Sequence, residues 1–156
     1  MRFSRPAMRK RSSGAHSSSL YVHIPFCSGK CPYCAFYSVR PGVGDVDRYL
    51  ASLDLEISMI ARSFGALPEI RTVFFGGGTP TILDPGQWRN LVSILEKRFH
   101  FLPDAEITVE ANPGSIRPEH LDIWGECGVT RVSVGVQSLD DDDLRALGRP
   151  HDSRQS

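Results

Sequence analysis

Apolar and polar positions along this chain switch repeatedly between a period of two and a period near 3.6. Leu20-Tyr-Val-His-Ile-Pro25 is a short β-rich run stopped by proline and reads as a strand. From Asp45 to Phe64 the apolar residues Val46, Leu50, Leu53, Ile57 and Ile60 recur at helical spacing, with Gly65 as the stop and Pro68 just beyond. Ile70 to Phe75 predicts a second strand, which runs into Gly76-Gly77-Gly78-Thr79-Pro80. Asp84 and Pro85 suit the N-cap and first position of a helix whose buried face is Trp88, Leu91, Val92, Leu95 and Phe99. Ala105 to Ala111 alternates and predicts a third strand, ended by Asn112-Pro113-Gly114. Arg117-Pro118-Glu119 opens a third helix with Leu121, Ile123 and Trp124 inward and Gly128 as its cap. Thr130 to Val136 reads as a fourth strand, and Ser138 as the cap of a helix containing Leu139, Leu144 and Leu147.

This alternation of strand and helix predicts an α/β fold with a parallel sheet. It leaves two closures open, a doubly wound sheet or a (β/α) barrel. In both, chemistry gathers at the C-terminal ends of the strands. The ends here are the loop after Pro25, Gly76–Pro80, Glu110–Pro113 and Gln137-Ser138, so four consecutive ends carry polar or glycine-rich sequence.

The chain has 156 residues, no net formal charge and 40% hydrophobic residues, as expected for one domain with a sizeable core. Charge neutrality argues against nucleic acid or an anionic membrane as the main partner. No apolar run approaches the ~20 residues that span a bilayer. Residues 1–19 differ in character: Arg2, Arg5, Arg9, Lys10 and Arg11 lie among serines with no acid. They read as a disordered basic tail or as an organelle transit peptide, and the fold is expected over residues 20–156. The first reading goes with a cytoplasmic location, the second with a mitochondrial one.

The candidate chemistry centres on Cys27-x3-Cys31-x2-Cys34, directly after the first strand. Three soft ligands from one loop suit an iron–sulfur cluster, and they leave one iron without a protein ligand. A structural zinc site, with a histidine such as His23 as fourth ligand, is the rival reading. A disulfide framework fits poorly, because the set is unpaired and no secretory signal is present. Three consecutive glycines permit close backbone approach to a ligand, or mark a tight turn. Glu110 and Gln137, at strand ends, read as ligand-binding groups or as surface polar residues. Arg149 is a bidentate partner for a carboxylate, or a solvated charge. His23 reads as a core or supporting residue, Cys127 as a small buried hydrophobe, and Asp140–Asp143 as a solvated helix N-terminus.

Tyr21-x-His-Ile-Pro-Phe-Cys27-x3-Cys31-x-Tyr-Cys34 resembles the cluster loop of radical S-adenosylmethionine (radical SAM) enzymes. With Gly76-Gly-Gly-Thr-Pro80, Glu110-Ala-Asn-Pro113, Gly135-Val-Gln-Ser138 and Leu147-Gly-Arg149, the set resembles the branch that holds oxygen-independent coproporphyrinogen III oxidase and the HemW haem chaperones. The resemblance covers about residues 20–151. It implies the N-terminal portion, about four βα units, of a partial (β/α)6 barrel, with a [4Fe–4S] cluster and SAM as cofactors. It also implies roles by position. Cys27, Cys31 and Cys34 hold three irons, and SAM chelates the fourth through its amino and carboxylate groups. Tyr21 and the backbone at Tyr33 pack around the cluster and adenine. Gly77, Gly78 and Thr79 meet the methionine end of SAM, and Glu110 hydrogen-bonds SAM. Gln137 and Arg149 match positions that contact a second SAM in the oxidase.

The oxidase-type loop carries a further cysteine two residues after the third; here that position is Phe36. The departure favours the HemW-like branch, hence haem binding and transfer to an acceptor protein, over decarboxylation of coproporphyrinogen. Members of this branch are much longer than 156 residues, so the later strands and a haem-binding C-terminal domain are expected to be missing and the chain to be truncated.

Overall fold

The computed structural model describes residues 17–64 and 67–156. The elements are β1 (Ser17–Ile24), α1 (Asp45–Phe64), β2 (Glu69–Gly77), α2 (Pro85–Glu96), β3 (His100–Ala111), α3 (Pro118–Glu126), β4 (Arg131–Val134) and α4 (Asp141–Ala146). The expected tail falls outside the described residues as far as position 16, but Ser17, Ser18 and Ser19 are part of β1. The stop expected at Gly65 also falls outside them.

All strand pairs are parallel, and the sheet order is β1-β2-β3-β4. A doubly wound sheet reverses its strand order at a switch point, whereas a barrel adds strands in sequence. The order found is the barrel's. Register divides the sheet into two chemically distinct faces, because successive side chains point to opposite sides. Val22, Phe75 and Val109 align in one row, buried under the helices. The other face carries Tyr21, Phe74, Thr108 and Arg131 in one row and His23, Gly76, Glu110 and Ser133 toward the strand ends.

The helices form where capping and apolar spacing agree. Asp84 accepts from the Gln87 N–H at 2.8 Å while the Gln87 side chain accepts from the Asp84 N–H at 3.1 Å, a complete capping box with Pro85 behind it. Such a cap contributes about 1 kcal/mol. Trp88, Leu91 and Leu95 then point into the core, and the Trp88 ring meets Phe75 and Trp124 edge-on, with centroids 5.2 and 6.0 Å away. α1 packs beside α2, and α2 beside α3.

Leu121, expected inward, is exposed, as are Ile60 of the apolar set on α1 and Leu139, expected within the fourth helix. On α3 the buried stripe is His120, Ile123, Trp124 and Cys127, an i, i+3, i+4, i+7 set that leaves Leu121 about a quarter-turn off it. The fourth helix is capped by Asp140, which accepts from the Asp142 and Asp143 N–H groups, rather than by Ser138. Ser138 instead accepts from the Asp140 N–H and donates to Asp143. Leu139 therefore precedes the helix and stays in solvent. β3 begins at His100, five residues before the expected start at Ala105, because Glu69 and Ile70 pair with His100 and Phe101.

At the sheet's C-terminal end, Gly78 N–H donates to the Ile24 carbonyl at 2.8 Å and Thr79 N–H to the Phe26 carbonyl at 2.7 Å. These bonds seat the glycine turn on the start of the cysteine loop. A Cβ on Gly78 would lie 2.2 Å from the Phe26 carbonyl oxygen and 2.9 Å from that of Ile24, both backbone atoms that cannot swing away. Gly78→Ala should lower the unfolding free energy of cofactor-free protein by about 1–3 kcal/mol; a denaturation midpoint equal to wild type contradicts this packing.

His120 is fully buried, stacks on Trp124 with centroids 5.6 Å apart, and accepts from the Arg117 N–H at 3.1 Å. Burial first, then the Arg117 charge, lowers its pKa; Glu119 and a backbone contact with Thr81 oppose them. The folded state thus prefers neutral His120. Its contribution to stability is complete above the ordinary histidine pKa of about 6.5 and is lost as pH falls through that value toward the lowered one. Thermal unfolding of His120→Gln should therefore show a shallower loss of Tm between about pH 7 and 5.5 than wild type. Parallel profiles would contradict the assignment.

Candidate functional site

The four strand ends open onto one cavity of about 650 Å³. Cys27, Cys31 and Cys34 line it, and all three are free thiols. Their loop is tied at both ends. Cys27 N–H donates to the Val39 carbonyl at 3.0 Å and Val39 N–H to the Pro25 carbonyl at 2.8 Å, while the Cys34 N–H closes a turn onto the Cys31 carbonyl at 3.0 Å. His23 Nε2 donates to the Tyr37 carbonyl at 3.0 Å, which leaves Nδ1 to accept from the Tyr21 hydroxyl at 3.2 Å. His23 is therefore a strut from β1 to the far limb of the loop.

Among the described residues, no set of His, Cys, Asp or Glu side chains stands close enough together to hold a metal ion as arranged. The three thiols share the cavity without meeting at a point. Their chemistry nonetheless fits a thiolate-ligated iron–sulfur cluster: three accessible sulfurs from one short loop, beside space for a ligand the protein does not supply.

The second wall is glycine. Gly77 has φ 106°, a left-handed conformation that a side chain would strain, and its N–H donates to Glu110 Oε2 at 3.3 Å. A Cβ on Gly76 would lie 2.6 Å from Glu110 Oε2, and one on Gly77 2.4 Å from His23 Nδ1. The run is bare because Glu110 and His23 occupy the space that side chains would fill.

The third wall is a chain of polar contacts across strands far apart in sequence. Cys27 Sγ lies 3.3 Å from Thr79 Oγ1. Asn112 Nδ2 donates to Thr79 Oγ1 at 3.2 Å, and Asn112 Oδ1 accepts from Arg149 Nη2 at 2.6 Å. Arg149 Nη2 also donates to the Gly135 carbonyl at 2.9 Å, and Nη1 to Tyr33 Oη at 3.3 Å and Cys31 Sγ at 3.4 Å. Gly148, with φ 64°, lets this segment approach the cysteine loop: a Cβ there would lie 2.7 Å from Pro32 Cδ. Gln137 takes φ 71°, the only left-handed non-glycine backbone among the described residues, at a cost on the order of 1 kcal/mol. Strain of this kind is held where surrounding contacts over-determine it, and Gln137 lines the cavity.

Of the residues singled out from sequence, Cys27, Cys31, Cys34, Tyr33, Gly77, Gly78, Thr79, Glu110, Gln137 and Arg149 all line this cavity. Tyr21 does not. Its ring stacks on Phe74 with centroids 6.1 Å apart, and burial followed by the Glu110 charge raises its phenol pKa. Cys127 is buried at the end of α3, its thiol pushed up to about 11 by desolvation. Sequence reasoning gave no role to Asn112, whose Asn-Pro-Gly context reads as strand punctuation.

The Radical SAM superfamily profile matches residues 21–156. The chain is 40% identical over 141 residues to the haem chaperone HemW of Escherichia coli (strain K12), covering 88% of this chain and 36% of that protein. It is 42% identical over 135 residues to HemW of Bacillus subtilis (strain 168), covering 85% and 35%. It is 37% identical over 143 residues to the mitochondrial radical S-adenosyl methionine domain-containing protein 1 of Bos taurus, covering 92% and 32%. Among solved structures, the coproporphyrinogen III oxidase HemN from Escherichia coli, a radical SAM enzyme, matches with a TM-score of 0.78 and 36% identity, over 88% of this chain and 32% of that one. The chain thus spans about a third of the length of these relatives. The family implies a [4Fe–4S] cluster and SAM, which agrees with the free thiols and the glycine wall. By the match over nearly all its described length, and by a parallel sheet in barrel order with its polar rim, this chain belongs to the radical SAM superfamily.

Proposed function

We propose that the intact protein is a haem-handling radical SAM protein of the HemW type, and that residues 17–156 carry its cluster and nucleotide site. The observation that carries this reading is the single cavity in which three free thiols face Gly77, Gly78 and Glu110. Cys27, Cys31 and Cys34 would hold the cluster through three of its irons. The cluster and SAM together supply one-electron radical chemistry when bound. The chain's own residues orient and enclose. Gly77 and Gly78 offer flat backbone to the methionine end of SAM, Glu110 accepts hydrogen bonds, and Gln137 and Arg149 present donors from the opposite side. Haem and an acceptor protein are the proposed partners. The cytoplasm is the proposed location, with the mitochondrion as the alternative that a basic leader would specify.

Phe36 supports the chaperone reading over the oxidase. It lines the cavity mouth, 65% exposed, at the position where the oxidase branch has a further cysteine. Haem transfer to an apo-haemoprotein by the intact, cluster-loaded protein, together with no decarboxylation of coproporphyrinogen, is the expected result. Porphyrin turnover without haem binding would reverse the assignment to the oxidase.

Anaerobic reconstitution should load about four irons and matching sulfide per chain. Replacement of Cys27, Cys31 or Cys34 by alanine should abolish that loading, whereas Cys127→Ser should keep it, because Cys127 is buried away from the rim. One zinc per chain and no sulfide would replace the cluster reading with a structural metal site.

A further inference from the structure

The chain of contacts through Asn112 has a direction that hydrogen-bonding rules determine. Guanidinium N–H groups only donate, so the amide atom 2.6 Å from Arg149 Nη2 is the carbonyl oxygen of Asn112. The other amide atom is then the NH₂, which donates to Thr79 Oγ1. With its oxygen already accepting, the Thr79 hydroxyl has its own hydrogen left for Cys27 Sγ, 3.3 Å away. A thiolate there accepts and cannot donate. The orientation of one amide therefore sends a donor toward the Cys27 sulfur, while the same Arg149 donates from Nη1 to the Cys31 sulfur.

The charge is equally specific. Every partner of Arg149 is neutral or a sulfur: the Asn112 amide oxygen, the Gly135 carbonyl, the Tyr33 hydroxyl and Cys31 Sγ. Among the described residues, no carboxylate forms an ion pair with it. A carboxylate at position 112 would occupy the same space, neutralise the guanidinium, and turn the Thr79 hydroxyl away from Cys27 toward itself. Asn112 is held for this task by Ser115, whose Oγ accepts from the Asn112 N–H at 3.2 Å and donates to the Asn112 carbonyl at 2.7 Å.

We infer that Asn112 is a positioning residue that aims Thr79 at Cys27 and holds Arg149, unneutralised, at Cys31, so that two of the three cluster sulfurs receive donors and a positive charge. This rests on the proposed cluster site. Hydrogen bonds to sulfur and nearby positive charge stabilise the more negative, reduced form of an iron–sulfur cluster and so raise its potential.

The test is the midpoint potential of the cluster in the intact, reconstituted protein without added SAM, followed by the reduced-cluster EPR signal. Asn112→Asp, nearly isosteric, should shift the reduction equilibrium at least tenfold toward the oxidised form, about 59 mV for one electron. Asn112→Ala, which removes the amide and adds no charge, should shift it less. Arg149→Gln should lower it as Asn112→Asp does, and decides the matter if Asn112→Asp fails to hold a cluster. An unchanged potential in Asn112→Asp or in Arg149→Gln overturns the inference, as do equal shifts in Asn112→Asp and Asn112→Ala, which would mark a packing role only. A wild-type protein that takes up no cluster fails earlier, and it removes the cluster reading itself.

Discussion

Two backbone hydrogen bonds, from the Gly78 and Thr79 N–H groups to the Ile24 and Phe26 carbonyls, set the spacing between the cysteine loop and the glycine turn. They continue the β1–β2 pairing past the end of the regular strands, so the loop is carried by the sheet rather than hung from it. The fit is tight enough that position 78 has no room for a methyl group. It also delivers Thr79, buried and fixed, to within hydrogen-bonding distance of Cys27 Sγ. From there the contacts run through Asn112 to Arg149 and back to Cys31, closing a ring around the cavity.

The sheet can carry such a ring because its two faces are separated. Val22, Phe75 and Val109 and the helices above them supply the apolar burial that stabilises the fold. The opposite face is then free to hold His23, Glu110 and Ser133 near the strand ends. Two of these polar groups are placed by neighbours that are glycine or backbone: Glu110 against Gly76 and Gly77, His23 against Gly77 and the Tyr37 carbonyl.

Much of this was legible in the sequence, and for physical reasons. Helix α1 and the capping box of α2 follow from local spacing and chemistry, which need only neighbours within a turn. The rim followed from one rule, that parallel strands end on the same side. Periodicity left the closure open, since it says nothing about which strand lies beside which; the barrel came only from the resemblance of the motifs, and the strand order agrees with it. On α3, Leu121 outranked His120 on hydrophobicity, although the His120, Ile123, Trp124 and Cys127 stripe was present in the spacing. Asp140 displaced Ser138 as a cap through a difference of two residues, within the usual uncertainty of helix ends. Asn112 was opaque for another reason. Its partners lie 33 and 37 residues away, and an asparagine before proline carries the same local signature whether it ends a strand or orients an arginine.

The central claim is that three thiols of this rim hold a cluster whose remaining iron takes SAM. The most direct measurement is the EPR spectrum of the reduced cluster in the intact protein, recorded before and after SAM is added. A [4Fe–4S] signal whose shape changes on SAM addition, and no longer changes when Gly77 is replaced by valine, is the predicted result. A cluster signal that is the same with and without SAM would contradict the account.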